Sequence, residues 1–156
     1  MDHDLEPVER VRRFLRPLGI EVVELPDDTS TAVLAAQALR TTVATIVKSL
    51  LFLVDEEPYL VLVSGDRKID KRKLARDVGG RKARLADPDR ALSVTGYAVG
   101  GVPPVALRTQ VPVLMDRHLL AHPVVYAAAG SSFAVFPVEP DRLRDVTEAR
   151  VIQAVE

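Results

Sequence analysis

Val43-Ala44-Thr45-Ile46-Val47-Lys48-Ser49-Leu50-Leu51-Phe52-Leu53-Val54 is almost wholly apolar, rich in β-branched side chains and interrupted by one lysine. Such a run reads as a buried central strand. Alternate side chains of a strand share a face. Ile46, Lys48, Leu50, Phe52 and Val54 therefore project one way, and Val47, Ser49, Leu51 and Leu53 the other. Either face sets a long cation among apolar neighbours, where an unpaired ammonium costs several kcal/mol or gives up its proton. Lys48 has three ways out: to reach the strand's edge, to pair with an acid, or to line a cavity that takes an anionic or polar ligand. A lysine in the last position can be a point charge, an oxyanion stabiliser, or a base or nucleophile.

Working outward, Tyr59-Leu60-Val61-Leu62-Val63-Ser64 is a second apolar strand, joined to the first across Asp55-Glu56-Glu57-Pro58 as an antiparallel hairpin. Upstream, Pro7–Leu18 has apolar residues at helical spacing, with Arg10, Arg12, Arg13 and Arg16 placed elsewhere around the helix. Glu21–Leu25 is a short strand. The turn at residues 26–30 offers an N-cap for an Ala-rich helix over Thr31–Arg40. Downstream, Ile69–Val78 reads as a helix stopped by Gly79-Gly80. Ala83–Ala86 is a strand, and Asp87-Pro88 opens a helix running to about Val94. Strands follow at Val111–Asp116, Val124–Ala128 and Phe133–Phe136, with a helical turn at Arg117–Ala121. A helix covers Pro140–Val146, and a strand or helical turn covers Val151–Val155. Strands and helices interleave without a repeat, linker or low-complexity tract. The expectation is one α/β domain over residues 1–156, with a mixed, mostly antiparallel central sheet flanked by helices.

The 156 residues suffice for a full core, and 47% hydrophobic with 28% charged residues is a globular composition. With no Trp and only 4% aromatic residues, packing must rest on Val, Leu, Ile and Ala. The absence of Cys excludes disulfides, thiolate nucleophiles and Cys-ligated metals. The acidic start, Met1-Asp2-His3-Asp4-Leu5-Glu6, lacks a signal pattern, and no apolar run reaches membrane-spanning length. A cytoplasmic protein with no membrane partner is expected.

Thr95-Gly96-Tyr97-Ala98-Val99-Gly100-Gly101-Val102-Pro103-Pro104 is the second informative segment. Glycines permit positive φ and close approach to the main chain, and prolines stiffen the loop. It reads either as an ordinary turn or as a rigid loop whose N–H groups bind a carbonyl or oxyanion. Neither phosphate-loop spacing is present. Ala129-Gly130-Ser131-Ser132 is a small-residue turn at a strand end. Arg67–Arg84 holds nine basic residues against two acidic ones, on a chain of net charge −1. That is either a solvated helix face or the footprint of a polyanion. His118 and His122 have metal-ligand spacing, but Pro123 follows and no Glu lies between them, so no metal and no cofactor is expected. A Gly-x-Ser-x-Gly elbow is absent.

Taken together, Val47–Phe52, Leu62–Ala75, Thr95–Pro104 and Ala129–Ser131 make the chain similar to the YbaK/prolyl-tRNA synthetase-associated (INS-like) family of aminoacyl-tRNA editing domains, from about Thr29 to Val151. The resemblance implies an α/β domain that hydrolyses the ester of a mischarged tRNA, of the tRNA(Pro) type carrying a small amino acid such as Ala or Cys. It implies that Lys48 is catalytic, and that the Gly100-Gly101 main chain faces the aminoacyl carbonyl. Gly96, Pro103, Gly130 and Ser131 complete the expected substrate-binding set, and Arg67, Lys68, Lys71, Arg72 and Lys73 the tRNA-binding set. Mischarged tRNA is the expected partner and prolyl-tRNA synthetase the candidate protein partner. Departures from the family pattern fall at Pro103, at Val105-Ala106 and at Phe133-Ala134-Val135. The alternatives are an inactive tRNA- or synthetase-binding module of the same fold, and a small-ligand binder.

Overall fold

A computed structural model of the chain describes residues 6–156; the reading of Met1–Leu5, His3 included, lies outside them. The elements in chain order are α1 (Pro7–Leu15), β1 (Val23–Glu24), α2 (Ala32–Leu39), β2 (Ile46–Val54), β3 (Glu57–Ser64), α3 (Lys71–Asp77), β4 (Ala83–Leu85), α4 (Pro88–Thr95), β5 (Val113–Asp116), β6 (Val125–Ala128), β7 (Ala134–Val138), α5 (Pro140–Thr147) and β8 (Arg150–Ile152). They form the expected α/β fold around one mixed sheet of order β1-β7-β6-β2-β3-β5-β8, with β4 also paired to β2. Antiparallel pairs join β1 to β7, β2 to β3, β2 to β4 and β6 to β7; parallel pairs join β2 to β6, β3 to β5 and β5 to β8. No helix among the described residues is long and apolar enough to cross a membrane.

Local chemistry sets the helix limits. Side chains of Thr31, Asp70 and Asp87 accept hydrogen bonds from main-chain N–H groups of the first turns of α2, α3 and α4, satisfying donors a helix start leaves unpaired. Asp70 places the start of α3 at Lys71 rather than Ile69, and Ile69 bridges instead to Val155. α1 ends at Leu15, and Arg16–Leu18 continues as a 3₁₀ turn, since Pro17 has no N–H for a helical bond. Strand β2 starts at Ile46, not Val43, because Thr45 turns back onto the Thr42 carbonyl through both its N–H (3.1 Å) and its hydroxyl (2.8 Å). The hairpin turn is only Asp55-Glu56, both at positive φ (50° and 68°), so β3 begins at Glu57 with Pro58 opposite Leu53. A two-residue turn of this hand matches the twist of the flanking strands.

The period-2 pattern of β2 divides the core. Val47, Leu51 and Leu53 enter the larger cluster with Val11, Leu15, Tyr97, Met115 and Phe136. Phe52 and Val54 face the other way, against Leu74, Ala75 and Ile152, and Ile46 packs on Ala35 and Ala36 of α2. Arg10, set off the apolar stripe of α1 by its spacing, is nonetheless only 8% exposed; it donates to the Gly96 carbonyl (3.1 Å) and lies 4.7 Å from the centre of the Tyr97 ring. A cation over an aromatic face is attractive, so α1 clamps the start of the Gly-Pro loop.

That loop is held by main-chain contact. Gly130 donates to the Gly101 carbonyl (3.0 Å), and a Cβ on Gly101 would fall 2.7 Å from Ser131 Cα. Gly101→Ala should therefore destabilise by roughly 1–3 kcal/mol through overpacking, and the thermal midpoint should fall several degrees. Gly79, at φ +76° with nothing within 4 Å of an added Cβ, should lose on substitution by Ala only the roughly 1 kcal/mol that a left-handed backbone costs. An unchanged thermal midpoint for Gly101→Ala would contradict the contact.

Candidate active site

The parity of β2 fixes the geometry here. The Ile46 carbonyl accepts from Gly65 N–H (2.8 Å) on the β3 side, whereas the Leu51 carbonyl accepts from Ala86 N–H (2.9 Å) on the opposite side. That opposite edge is shared. Strand β6 pairs with Ile46-Val47 and β4 with Phe52–Val54, leaving an interruption at Lys48–Leu50. A cavity of about 290 Å³ sits at this interruption, lined by Ile46–Leu51. Thr29–Ala32 and Ala35 form one wall, Leu85, Ala86 and Ala91 another. Val99, Gly100 and Val102 come from the Gly-Pro loop, and Tyr126 and Ala128 from β6. Apart from Lys48, these walls carry no ionisable group but Tyr126.

Lys48 is half-buried, and its Nζ donates to the Arg67 carbonyl at 2.7 Å. Lys48 is among the residues lining the cavity, while its ammonium is fixed on a carbonyl outside that lining. Burial holds its pKa below the usual lysine range; Asp66 pulls it back up, and Lys68 adds to the lowering. An ammonium has three donors, so two remain beyond the one given to Arg67. The same bond joins the cavity to the start of the basic segment.

The remaining candidate residues divide. Gly100 lines the cavity, at φ +96° and packed against Ser30. Gly96, Gly101, Pro103 and Gly130 are buried and do not line it. Gly96 ends α4 at φ +86°, and a Cβ on Gly130 would meet the Pro7 carbonyl at 2.7 Å. Ser131 accepts from Phe133 N–H (3.1 Å) through its hydroxyl. In the basic segment Lys68, Lys71 and Arg72 are exposed. Lys73 donates to the Val155 carbonyl (3.0 Å), and Arg84 pairs with Glu56 (2.8 Å). Arg12 is paired with Glu9 and Glu24. His118 Nδ1 lies 2.8 Å from Asp116 Oδ2, and no group of three metal-ligating side chains occurs among the described residues.

Sequence reasoning passed over the Thr29–Ala32 wall, which is stitched to the 129–132 turn by Thr29 N–H and Oγ1 on the Ser132 carbonyl (2.6 and 2.8 Å). Its signal was the 26–30 turn, read only as a source of a helix cap; the cap itself is Thr31. It also passed over the interruption at Ser49, which depends on two strands distant in the chain.

A half-buried cation in an apolar cavity, beside a glycine main chain, is an arrangement that can bind a carbonyl and stabilise negative charge developing on it. The profile of the aminoacyl-tRNA editing domain matches residues 26–146, and the chain belongs to that family. It is similar to the crystal structure of a protein described, provisionally, as a trans-editing enzyme for prolyl tRNA synthetase, at 43% identity and TM-score 0.89, covering 97% of this chain and 99% of that one. The uncharacterized protein YwhH of Bacillus subtilis (strain 168) is 31% identical over 132 residues, 84% of this chain and 83% of YwhH. A proline–tRNA ligase of Listeria innocua is 31% identical over 113 residues, 69% of this chain but only 20% of the ligase.

With burial the largest influence on Lys48, its proton should leave at a lower pH than that of an ordinary lysine. Reductive ¹³C-methylation followed by an NMR pH titration should show the Lys48 resonance with a midpoint below the usual lysine range. A midpoint within or above that range would contradict the desolvated placement.

Proposed function

We propose that this chain is a trans-acting deacylase that hydrolyses the ester of mischarged tRNA, of the tRNA(Pro) type carrying a small amino acid such as Ala or Cys. The observation that carries this reading is the placement of Lys48 and Gly100 in one cavity, in a chain of the editing-domain family. The acyl group enters the apolar cavity with its carbonyl toward Lys48. A water molecule attacks the carbonyl carbon, and the Lys48 ammonium stabilises the oxyanion that forms. The bond from that carbon to the ribose oxygen then breaks; the departing oxygen takes up a proton and the free amino acid leaves. No side-chain nucleophile is required, and the neighbouring ribose hydroxyl is placed to assist the water. Gly101 N–H is given to the Ala98 carbonyl (3.0 Å), so the main-chain donor this turn adds for such a charge is that of Gly100 alone.

The apolar lining suits small apolar acyl groups and separates them mainly by size, at about 1–3 kcal/mol per methylene. Exposed Lys68, Lys71 and Arg72, with Arg67 adjoining the cavity through its carbonyl, supply cations for the tRNA backbone. Lys73 belongs to the same segment, although its ammonium is engaged with Val155. The likeness to the ligase suggests prolyl-tRNA synthetase as the enzyme whose errors are corrected.

Lys48→Ala should lower turnover of Ala-tRNA(Pro) by about 10²–10³-fold, the usual cost of an oxyanion donor, while a thermal melt stays cooperative. Unchanged turnover in a deacylation panel with Ala, Cys and Ser on tRNA(Pro) would refute the role. Lys71→Glu with Arg72→Glu should raise KM far more than it lowers kcat, and should flatten the dependence of binding on salt, because each lost phosphate contact removes about one unit of the log–log slope. A salt dependence that does not change would exclude this face as the tRNA contact.

A further inference from the structure

The interruption of β2 is small and specific. Successive residues of a strand send their main-chain N–H and C=O groups to alternate edges. Leu51 faces the β4 side, as its bond with Ala86 shows, and Ser49 has the same parity. The ladder with β6 ends at Val47 opposite Ala127, and the ladder with β4 ends at Phe52 opposite Leu85. Ser49 therefore directs both main-chain groups at the gap between two strands, where the cavity lies. Its side chain does not close the gap: the hydroxyl is buried and has no hydrogen-bond partner. Main-chain polar groups inside a fold are normally paired, so an unoccupied edge position bordering a cavity is a place for a ligand that supplies the missing partner.

An aminoacyl ester carries an N–H donor and a carbonyl acceptor on either side of one carbon, as a residue in a strand does. On the strength of the deacylase reading above, we infer that Ser49 recognises the acyl group as one extra residue of the sheet: the substrate's amino group donates to the Ser49 carbonyl, and the substrate's carbonyl accepts from the Ser49 N–H. Two observations favour main-chain recognition of the amino group. Among the described residues no carboxylate lines the cavity to pair with an amino group, and the open length of edge matches a single residue. The side chain of the acyl group then projects from the sheet into the apolar walls, where only its size is read. This makes Ser49 a substrate-binding residue through its main chain, beside Lys48, and gives the site a requirement for the α-amino group that is independent of which amino acid is carried.

The test uses the full chain and three esters of the same tRNA(Pro): alanyl, lactyl, in which a hydroxyl replaces the amino group, and propionyl, which has no donor there. Each kcat/KM is divided by the spontaneous hydrolysis rate of that ester. Alanyl should exceed propionyl by at least about tenfold, the scale of a hydrogen bond to a charged group, with lactyl between them. Ser49→Pro removes the one N–H in question without breaking a ladder bond, since that N–H faces the gap; it should lower alanyl turnover at least tenfold while the melt stays cooperative. Equal normalised values for alanyl and propionyl, or a folded Ser49→Pro with the rate of the natural chain, would overturn the inference. Should Ser49→Pro fail to fold, the ester ratio on the natural chain decides. A chain that hydrolyses all three esters alike defeats only this inference; one that hydrolyses none defeats the deacylase reading, and the inference with it.

Discussion

A half-buried lysine beside an apolar cavity, with one of its donors fixed on a main-chain carbonyl, is the constraint from which the rest of the site follows. Water is the cheapest partner for such a charge, and the fold withholds much of it. What remains is the Arg67 carbonyl, 2.7 Å away, the nearby charge of Asp66, and the cavity. Because Arg67 opens the basic segment, one short bond ties the charge inside the cavity to the cations outside it. Burial lowers the proton affinity of Lys48, and in the proposed reaction a partly desolvated cation gains from a developing negative charge.

Holding that cation requires walls that do not drift, and these are built from main chain packed on main chain. Gly101 lies against Ser131, Gly130 against Pro7 and Gly100 against Ser30, so the loop, the 129–132 turn, the start of α1 and the wall before α2 form one connected rim. Arg10 closes the circuit from α1 onto Gly96 and Tyr97. Helix α1 lies outside the stretch that the editing-domain profile covers, yet it touches both turns that flank the cavity.

Much of the fold was legible in the sequence because its signals are local. The alternation in β2 sorted its side chains into two faces, and the structure places them in separate clusters. The cap at Asp87 marked a helix start for the same chemical reason in both views, whereas the cap expected within residues 26–30 is Thr31, one residue further on. Errors fell where a local signal was outbid by a neighbour's hydrogen bond: Thr45 on Thr42 delays β2, and Asp70 shortens α3. Helical spacing set Arg10 off the apolar stripe but could not reveal that a carbonyl and an aromatic ring wait for it there. In the site, a lysine inside a strand was visible from composition, whereas the interruption beside it was not. That feature arises from one parallel and one antiparallel neighbour, contributed by segments far apart in the chain. Glycine's tolerance of close approach was legible as well, but its object was not: at Gly101 and Gly130 the approaching group is the protein's own main chain.

The central claim is that the acyl group occupies the cavity where β2 loses its neighbours. NMR titration with a non-hydrolysable, amide-linked 3′-alanyl adenosine addresses it most directly. The account predicts chemical-shift changes concentrated at Val47–Leu51, Val99–Val102 and Tyr126–Ala128. Changes centred elsewhere, for instance on the Arg12–Val22 surface, with the residues around Lys48 unmoved, would contradict it.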